Sequence, residues 1–237
     1  MKRALTTLGI LMGCVLATDA SAQVTAPPDD QKYFRVPYKY VVYLDFSGAL
    51  PVEPGEFNDY WNSAFQFGAG GGMSMFPWLE LDGNFTYASW DNNSTASKVK
   101  IGYAGVPEVE GGLITTMTFT GSARFIAGPS MRTNPYAEVG VGYYKTKAED
   151  ITIEDAFGNT VLDNSMEPTS GMVISLAAGV QYTLNESWGA YAKYTYVTCF
   201  SDQFAPGDLL LPVGGGEPVD GTNQVFSNIG VGIMLRI

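Results

Sequence analysis

The chain is 237 residues long and acidic, with 24 Asp and Glu against 13 Lys and Arg, a formal net charge of −11 and no histidine. Because it has no basic patch with which to displace phosphate counterions, nucleic acid is excluded as a partner. The lack of histidine removes the commonest acid–base catalyst and a common metal ligand, and we expect no catalytic, cofactor or metal site. No apolar run after residue 22 reaches the about 18 residues that a transmembrane helix requires.

The N-terminus has the three parts of a secretory signal peptide. Lys2 and Arg3 are basic, residues 4–16 are apolar, and residues 20–22 (Ala-Ser-Ala) supply a small-x-small cleavage site. We therefore predict a signal peptide over residues 1–22, cleaved after Ala22. A loose lipoprotein motif ending at Cys14 is the alternative, and it would leave a signal of only thirteen residues.

Cleavage changes the charge and the cysteine content of the chain. Losing Lys2, Arg3 and Asp19 moves the formal charge from −11 to −12. Cys14 leaves with the signal, so Cys199 is the only mature cysteine and no intramolecular disulfide can form.

Period-two alternation of apolar and polar residues recurs along the mature chain and predicts an all-β fold. The predicted strands are residues 38–48, 64–75, 78–90, 112–127, 135–147, 170–184, 188–200 and 222–237. In the fourth strand, Met117, Phe119 and Phe125 share one face, while Thr116 and Arg124 share the other. This pattern favours a membrane-spanning barrel, whose strands alternate between lipid and lumen.

The connections between these strands alternate between short and long. The short ones are residues 76–77, 128–134 and 185–187, and the long ones are 49–63, 91–111, 148–169 and 201–221. Transmembrane barrels have short periplasmic turns and long extracellular loops. We therefore predict one eight-stranded antiparallel transmembrane β-barrel over residues 38–237, preceded by a short periplasmic tail over residues 23–37.

Aromatic residues concentrate near both strand ends and predict two interfacial girdles. The predicted girdle residues are Trp78, Tyr136, Tyr182 and Trp188 at the short turns, and Trp61, Tyr87, Trp90, Tyr143 and Tyr196 at the long loops. The alternative, a soluble barrel or sandwich, would not sort its aromatics in this way. Its polar face would also carry more surface Lys and Glu.

The polar face of the strands carries charges of both signs. We predict a lumen ion-pair network of four basic and four acidic residues: Lys39, Asp45, Glu80, Asp82, Arg124, Glu138, Lys193 and Arg236. Side chains fill the interior of an eight-stranded barrel, and charges persist there only when they are paired. A wet lumen with scattered charges is the alternative. It is favoured by the inward glycines, which are Gly68, Gly70, Gly72, Gly140, Gly142, Gly179, Gly230 and Gly232.

Three segments resemble a known family. Residues 46–51 (FSGALP) and 55–61 (GEFNDYW) are similar to the first-loop region of small outer-membrane β-barrels, and residues 228–237 (NIGVGIMLRI) are similar to their closing strand. The group includes the OmpA transmembrane domain, OmpX and the opacity proteins. Ile237 departs from the family's usual final phenylalanine. We expect no peptidoglycan-binding domain and no anchoring to the cell wall.

The resemblance implies location in the outer membrane, with outer-membrane lipid and lipopolysaccharide as partners. It also implies recognition of the C-terminal strand by the barrel-assembly machinery. Enzymes on this scaffold resemble one another in using histidine, so we expect no enzyme here. Glu80 and Asp82 lie two apart on the lumen face, and we expect them to form ion pairs rather than a catalytic pair.

The long loops are the remaining place for a function. The third loop contains a predicted hairpin, with residues 151–153 and 160–162 flanking a turn at 156–159, and the third and fourth loops are acidic. Such loops either hold divalent cations that bridge to lipopolysaccharide phosphates, meet a basic surface partner, or are solvated without a partner. We therefore expect a closed barrel acting as an envelope structural protein or a surface adhesion and interaction module. The alternative is a narrow pore or carrier for small or apolar solutes.

Overall fold

A computed structural model describes residues 39–93, 110–128, 132–154, 160–164, 167–204 and 222–237. The predicted signal peptide and periplasmic tail lie outside these residues. Among the described residues, no helix combines the length and the hydropathy needed to cross a bilayer.

The described residues form eleven strands and one short helix. They are β1 (Tyr40–Glu53), α1 (Gly55–Tyr60), β2 (Ala64–Phe76), β3 (Leu79–Trp90), β4 (Glu110–Gly111), β5 (Ile114–Ile126), β6 (Thr133–Ala148), β7 (Ile151–Glu154), β8 (Thr160–Asn164), β9 (Thr169–Thr183), β10 (Trp188–Phe204) and β11 (Thr222–Arg236). The eight long strands close into an antiparallel barrel in the order β1-β11-β10-β9-β6-β5-β3-β2. The predicted eight-stranded barrel is confirmed, and β1 pairs with β11 to close it.

The barrel is apolar outside and polar inside, the reverse of a soluble barrel. Along β1, exposed and buried residues alternate. Outward side chains such as Phe119, Val141 and Ile229 are each more than half exposed. Inward positions hold buried Thr, Ser, Asn, Gln and charged residues. A surface of this kind is stable only where lipid replaces water around it.

The strands extend further toward the long loops than the alternation predicted. β1 continues to Glu53 instead of residue 48, and β10 continues to Phe204 instead of residue 200. The extra residues of β1 pair with β11 as far as Val225. This extension lengthens the barrel wall toward the long loops, and α1 packs against β1.

A small second sheet lies among the long loops. The predicted hairpin of the third loop is confirmed, because β7 pairs with β8, while its turn at 156–159 lies outside the described residues. β4 adds to β7 on the other edge. β4 is too short for a periodic pattern, and it depends on Gly111, whose φ of 80° suits glycine.

Candidate functional site

The charged residues of the lumen gather around one guanidinium. Arg124 on β5 is 2% exposed and lies 2.9 Å from Glu138, 3.4 Å from Glu80 and 3.5 Å from Asp82. Its Nε and Nη2 atoms both donate to Oε2 of Glu138, at 3.0 and 2.9 Å. The strand register produces this cluster, because Arg124 is the partner of Glu80 on β3 and of Glu138 on β6.

Tyrosine rings enclose the same guanidinium. The carbon at its centre lies 4.3 Å from the ring centre of Tyr43, 4.8 Å from that of Tyr136 and 6.0 Å from that of Tyr191. Tyr43 also donates from its hydroxyl to Oε2 of Glu80 at 2.5 Å. Cation–π attraction and ion pairing therefore act together on a side chain that is buried away from water.

A second ion pair lies next to this cluster. The Lys193 ammonium on β10 lies 3.2 Å from Oδ2 of Asp45 on β1. The Tyr191 hydroxyl donates to the same oxygen at 3.2 Å. Tyr191 thus contacts both clusters, and the charged layer crosses the lumen from β1 to β5.

Two of the eight predicted network residues lie elsewhere. Lys39 is exposed, and its ammonium lies 5.4 Å from the ring centre of Tyr40, so its assignment to the lumen network is wrong. Lys39 precedes β1 and lies at the rim, where the alternation no longer determines the side-chain direction. Arg236 is buried near the short-turn end and donates to Oγ1 of Thr183 at 2.9 Å. The two clusters therefore contain two basic groups and four carboxylates: Arg124, Lys193, Asp45, Glu80, Asp82 and Glu138. The predicted balance of four basic and four acidic residues is not found within them.

An uncharged hydrogen-bonded layer lies nearer the long loops. Thr116 and Thr146 lie 2.7 Å apart through their hydroxyl oxygens, and Thr146 donates to Oε1 of Gln224 at 2.7 Å. Gln224 donates back to Thr116 at 3.0 Å. All three side chains are buried. This layer could not be predicted from the sequence, because its residues carry no charge and lie far apart in the chain.

An aromatic plug fills the loop end of the lumen. Phe57, from α1, is fully buried, and its ring centre lies 5.3 Å from that of Trp90 and 5.4 Å from that of Phe204. Trp90 in turn lies 5.1 Å from Phe226 on β11. Trp61 closes the side of the plug and donates from its indole nitrogen to the Gly112 carbonyl oxygen at 2.8 Å. The helix after β1 therefore folds over the barrel mouth.

The predicted girdles need a correction at three residues. Tyr136, Trp61 and Trp90 are 1%, 3% and 0% exposed and lie inside the barrel or its mouth. Trp90 shares the inward alternation of Glu80 and Asp82 on β3, Tyr136 shares that of Glu138 on β6, and Trp61 follows α1 into the plug. The other predicted girdle side chains point outward and are half-buried or exposed: Trp78, Tyr87, Tyr143, Tyr182, Trp188 and Tyr196. Their interfacial role stays a prediction.

Fluorescence quenching should separate the two kinds of tryptophan. In variants that keep one tryptophan each, with the other three replaced by phenylalanine, brominated lipid should quench Trp78 and Trp188, which are 49% and 44% exposed. It should leave Trp61 and Trp90 nearly unquenched, because they have no contact with lipid. Strong quenching of Trp90 by bromine in the acyl chains would contradict the plug.

Inward glycines make room for the large lumen side chains. A Cβ atom added at Gly179 would lie 2.6 Å from the Tyr136 ring, and one at Gly68 would lie 2.6 Å from the Asp45 carboxylate. One added at Gly232 would meet the Tyr191 ring. These glycines therefore do not support the alternative of a glycine-lined water path, since the space beside them is filled.

Gly179→Ala is expected to lower the free energy of unfolding by about 1–3 kcal/mol, because the added methyl group would meet the Ala192 carbonyl oxygen at 2.5 Å and the Tyr136 ring at 2.6 Å, and overpacking displaces Tyr136 from Arg124. The matched control is Gly48→Ala, since an added Cβ there would meet nothing within 4 Å. Urea titration of both variants in lipid vesicles measures the effect. Equal stability of the two variants would show that Gly179 leaves free space.

A small polar chamber separates the charged layer from the loop end. Its volume is about 30 Å³, and its lining includes Glu138, Lys193, Gln66 and Asn228. A volume of this size holds about two water molecules. It has no room for a solute of several atoms.

The comparisons with known proteins agree with this architecture. Residues 11–236 match the family model described as "Outer membrane protein beta-barrel domain". The sequence matches no curated protein. The chain belongs to this family of outer-membrane barrels.

Solved structures are similar to this chain at low sequence identity. Neisserial surface protein A is 12% identical, with a TM-score of 0.50 over 84% of this chain and 97% of that chain. OprG from Pseudomonas aeruginosa is 14% identical, with a TM-score of 0.48 over 84% and 97%. The attachment invasion locus protein Ail of Yersinia pestis is 13% identical, with a TM-score of 0.45 over 84% and 99%. At these identities the likeness concerns the fold alone.

Proposed function

We propose that this outer-membrane barrel is closed to solutes and acts through its outer loops, as an envelope structural protein or a surface adhesion and interaction module. The observation that carries this proposal is the layering of the lumen. The charged layer around Arg124 and Lys193, the uncharged layer around Gln224 and the aromatic plug follow one another along the barrel axis. A solute would have to break buried ion pairs and displace packed aromatic rings to pass.

A narrow pore or carrier is the second candidate, and the small polar chamber is the feature that favours it. Two observations weigh against it. The chamber has room for about two waters, and the glycines beside the charged layer are covered by Tyr136, Tyr191 and Asp45. We therefore place the function on the outer surface.

We also propose that the chain is not an enzyme, because it has no histidine for the acid–base work expected of enzymes on this scaffold. Its proposed partners are outer-membrane lipid, lipopolysaccharide and a surface partner of the acidic loops. We propose further that the barrel-assembly machinery recognises β11, the strand that closes the barrel against β1.

We also propose that the chain is exported by a signal peptide that is cleaved after Ala22. The intact mass of protein extracted from outer membranes should match a chain that begins at Gln23. A mass that includes residues 1–22, or one that reports a lipid on Cys14, would contradict cleavage after Ala22.

The loop function can be tested by replacing the hairpin of the third loop. A variant in which a short Asn-Gly turn replaces residues 150–167 should fold, since the barrel strands around the lumen are intact. Expression of the parent in a deletion strain should confer adhesion to coated surfaces or resistance of the envelope to detergent. Expression of the loop variant should not confer that property. A matched variant with a periplasmic turn shortened between residues 128 and 132, before β6 begins, controls for barrel stability. If the loop variant keeps both properties, this loop does not carry the function.

A further inference from the structure

Two lysines stand on the outer wall of the barrel, directly above its apolar belt. Along β6, the outward positions are Val139, Val141 and Tyr143, each between 45% and 56% exposed, followed by the exposed Lys145 and Lys147. This order reproduces the layers of a bilayer: hydrocarbon, interface and headgroup. β6 begins at the short-turn side, so both lysines lie at the end with the long loops.

The neighbouring strands leave both ammonium groups available. Lys145 is flanked by Met117 on β5 and Ser170 on β9, and Lys147 is flanked by Thr115 on β5. None of the ion pairs found among the described residues involves either lysine. The cross-strand partners that the register gives for the two lysines therefore carry no charge.

The position of the pair determines which ligand it can meet. A lysine at the edge of an apolar belt buries its stem along the wall and places its ammonium at headgroup level. The two Cα atoms, two residues apart on one strand, are separated by about 6.6 Å. One or two phosphate groups of the same lipid headgroup therefore fit between the ammonium groups. In an acidic chain with a net charge of −11, a local cationic pair also offsets repulsion from an anionic leaflet.

We propose that Lys145 and Lys147 form a docking site for the phosphates of the outer-leaflet glycolipid, the lipid A part of lipopolysaccharide. The site rests on lipopolysaccharide being a partner, as proposed above, and it does not depend on closure of the barrel or on a loop partner. It specifies which residues hold the lipid at one position of the wall. Glu149 is exposed close by, and the test below separates lipid binding from pairing within the loop.

The test is a titration of the refolded full mature chain, in zwitterionic detergent, with rough lipopolysaccharide, with bound lipid counted by native mass spectrometry. Lys145→Gln/Lys147→Gln should bind about thirtyfold more weakly, the factor expected for about 1 kcal/mol from each lysine. The matched control, Lys39→Gln, removes an exposed lysine at the opposite rim and should stay within about twofold of the parent. Lys145→Arg/Lys147→Arg should keep most of the affinity.

Dephosphorylated lipopolysaccharide should bind the parent as weakly as intact lipopolysaccharide binds the double glutamine variant. This arm tests the proposal even if that variant does not refold. Equal binding by parent and glutamine variant would overturn the proposal, as would equal binding of phosphorylated and dephosphorylated lipid by the parent. Displacement of the lipid by millimolar inorganic phosphate would identify a site for free phosphate instead. If the glutamine variant loses the same thermal stability with and without lipid, the lysines serve pairing within the protein.

Discussion

Arg124→Met is expected to lower the free energy of unfolding by about 3–5 kcal/mol, because it leaves buried carboxylates without their shared counter-charge. Glu80, Asp82 and Glu138 all lie within 3.5 Å of the guanidinium. Removing the cation turns their attraction to one centre into mutual repulsion in a poorly hydrated lumen. Urea titration in lipid vesicles, read from the heat-modified mobility of the barrel on gels, measures the loss.

A compensating variant separates charge from packing. Combining Arg124→Met with Glu80→Gln, Asp82→Asn and Glu138→Gln should recover a large part of the lost stability, because no uncompensated charge remains. Arg124→Lys should fall between parent and methionine variant, since it keeps the charge but not the two donors to Glu138. If Arg124→Met were as stable as the parent, the lumen would be hydrated enough to dispense with ion pairing.

Trp90→Ala should cost about 3–5 kcal/mol, the usual loss for a buried tryptophan in a packed cluster. Trp90 is fully buried and contacts both Phe57 and Phe226. Its removal leaves a cavity in the plug, and Phe57 of α1 loses one of its aromatic neighbours on the barrel wall. Urea titration should show this loss, and proteolysis should cut more rapidly near α1.

Two further substitutions test whether burial in the plug causes the effect. Trp90→Phe keeps an aromatic ring between Phe57 and Phe226 and should lose much less stability. Tyr87→Ala removes an aromatic side chain that is 37% exposed from the outer face of the same strand. It should cost less than half as much as Trp90→Ala. If Tyr87→Ala proved the more damaging of the two, Trp90 would belong to the membrane-facing girdle.

Alternation within single strands predicted the barrel well, since it reports directly which side of a strand meets lipid. It placed Arg124, Glu138 and Asp45 in the lumen from β5, β6 and β1. The same rule, applied consistently, would have placed Trp90 and Tyr136 inside as well. Their positions near the strand ends favour a girdle, but the alternation along each strand determines the face on which they lie.

Features that depend on contacts between distant strands could not be predicted. Gln224 bonds to Thr116 across 108 residues of sequence, and no local pattern reports such a pair. The plug depends on α1, six residues long, whose helical form follows from packing over the mouth and not from its own periodicity. The pairing of Gly179 with Tyr136 likewise appears only when β9 and β6 lie side by side.

The central claim is that the lumen is closed, and planar-bilayer conductance of the refolded mature chain tests it most directly. The parent should insert without producing steps of current. Lys193→Met, which leaves Asp45 without its 3.2 Å ion pair, and a Trp90→Ala/Phe57→Ala variant, which removes the plug, should show leak or loss of stability. Reproducible conductance steps in the parent would contradict the closed barrel and favour the narrow pore.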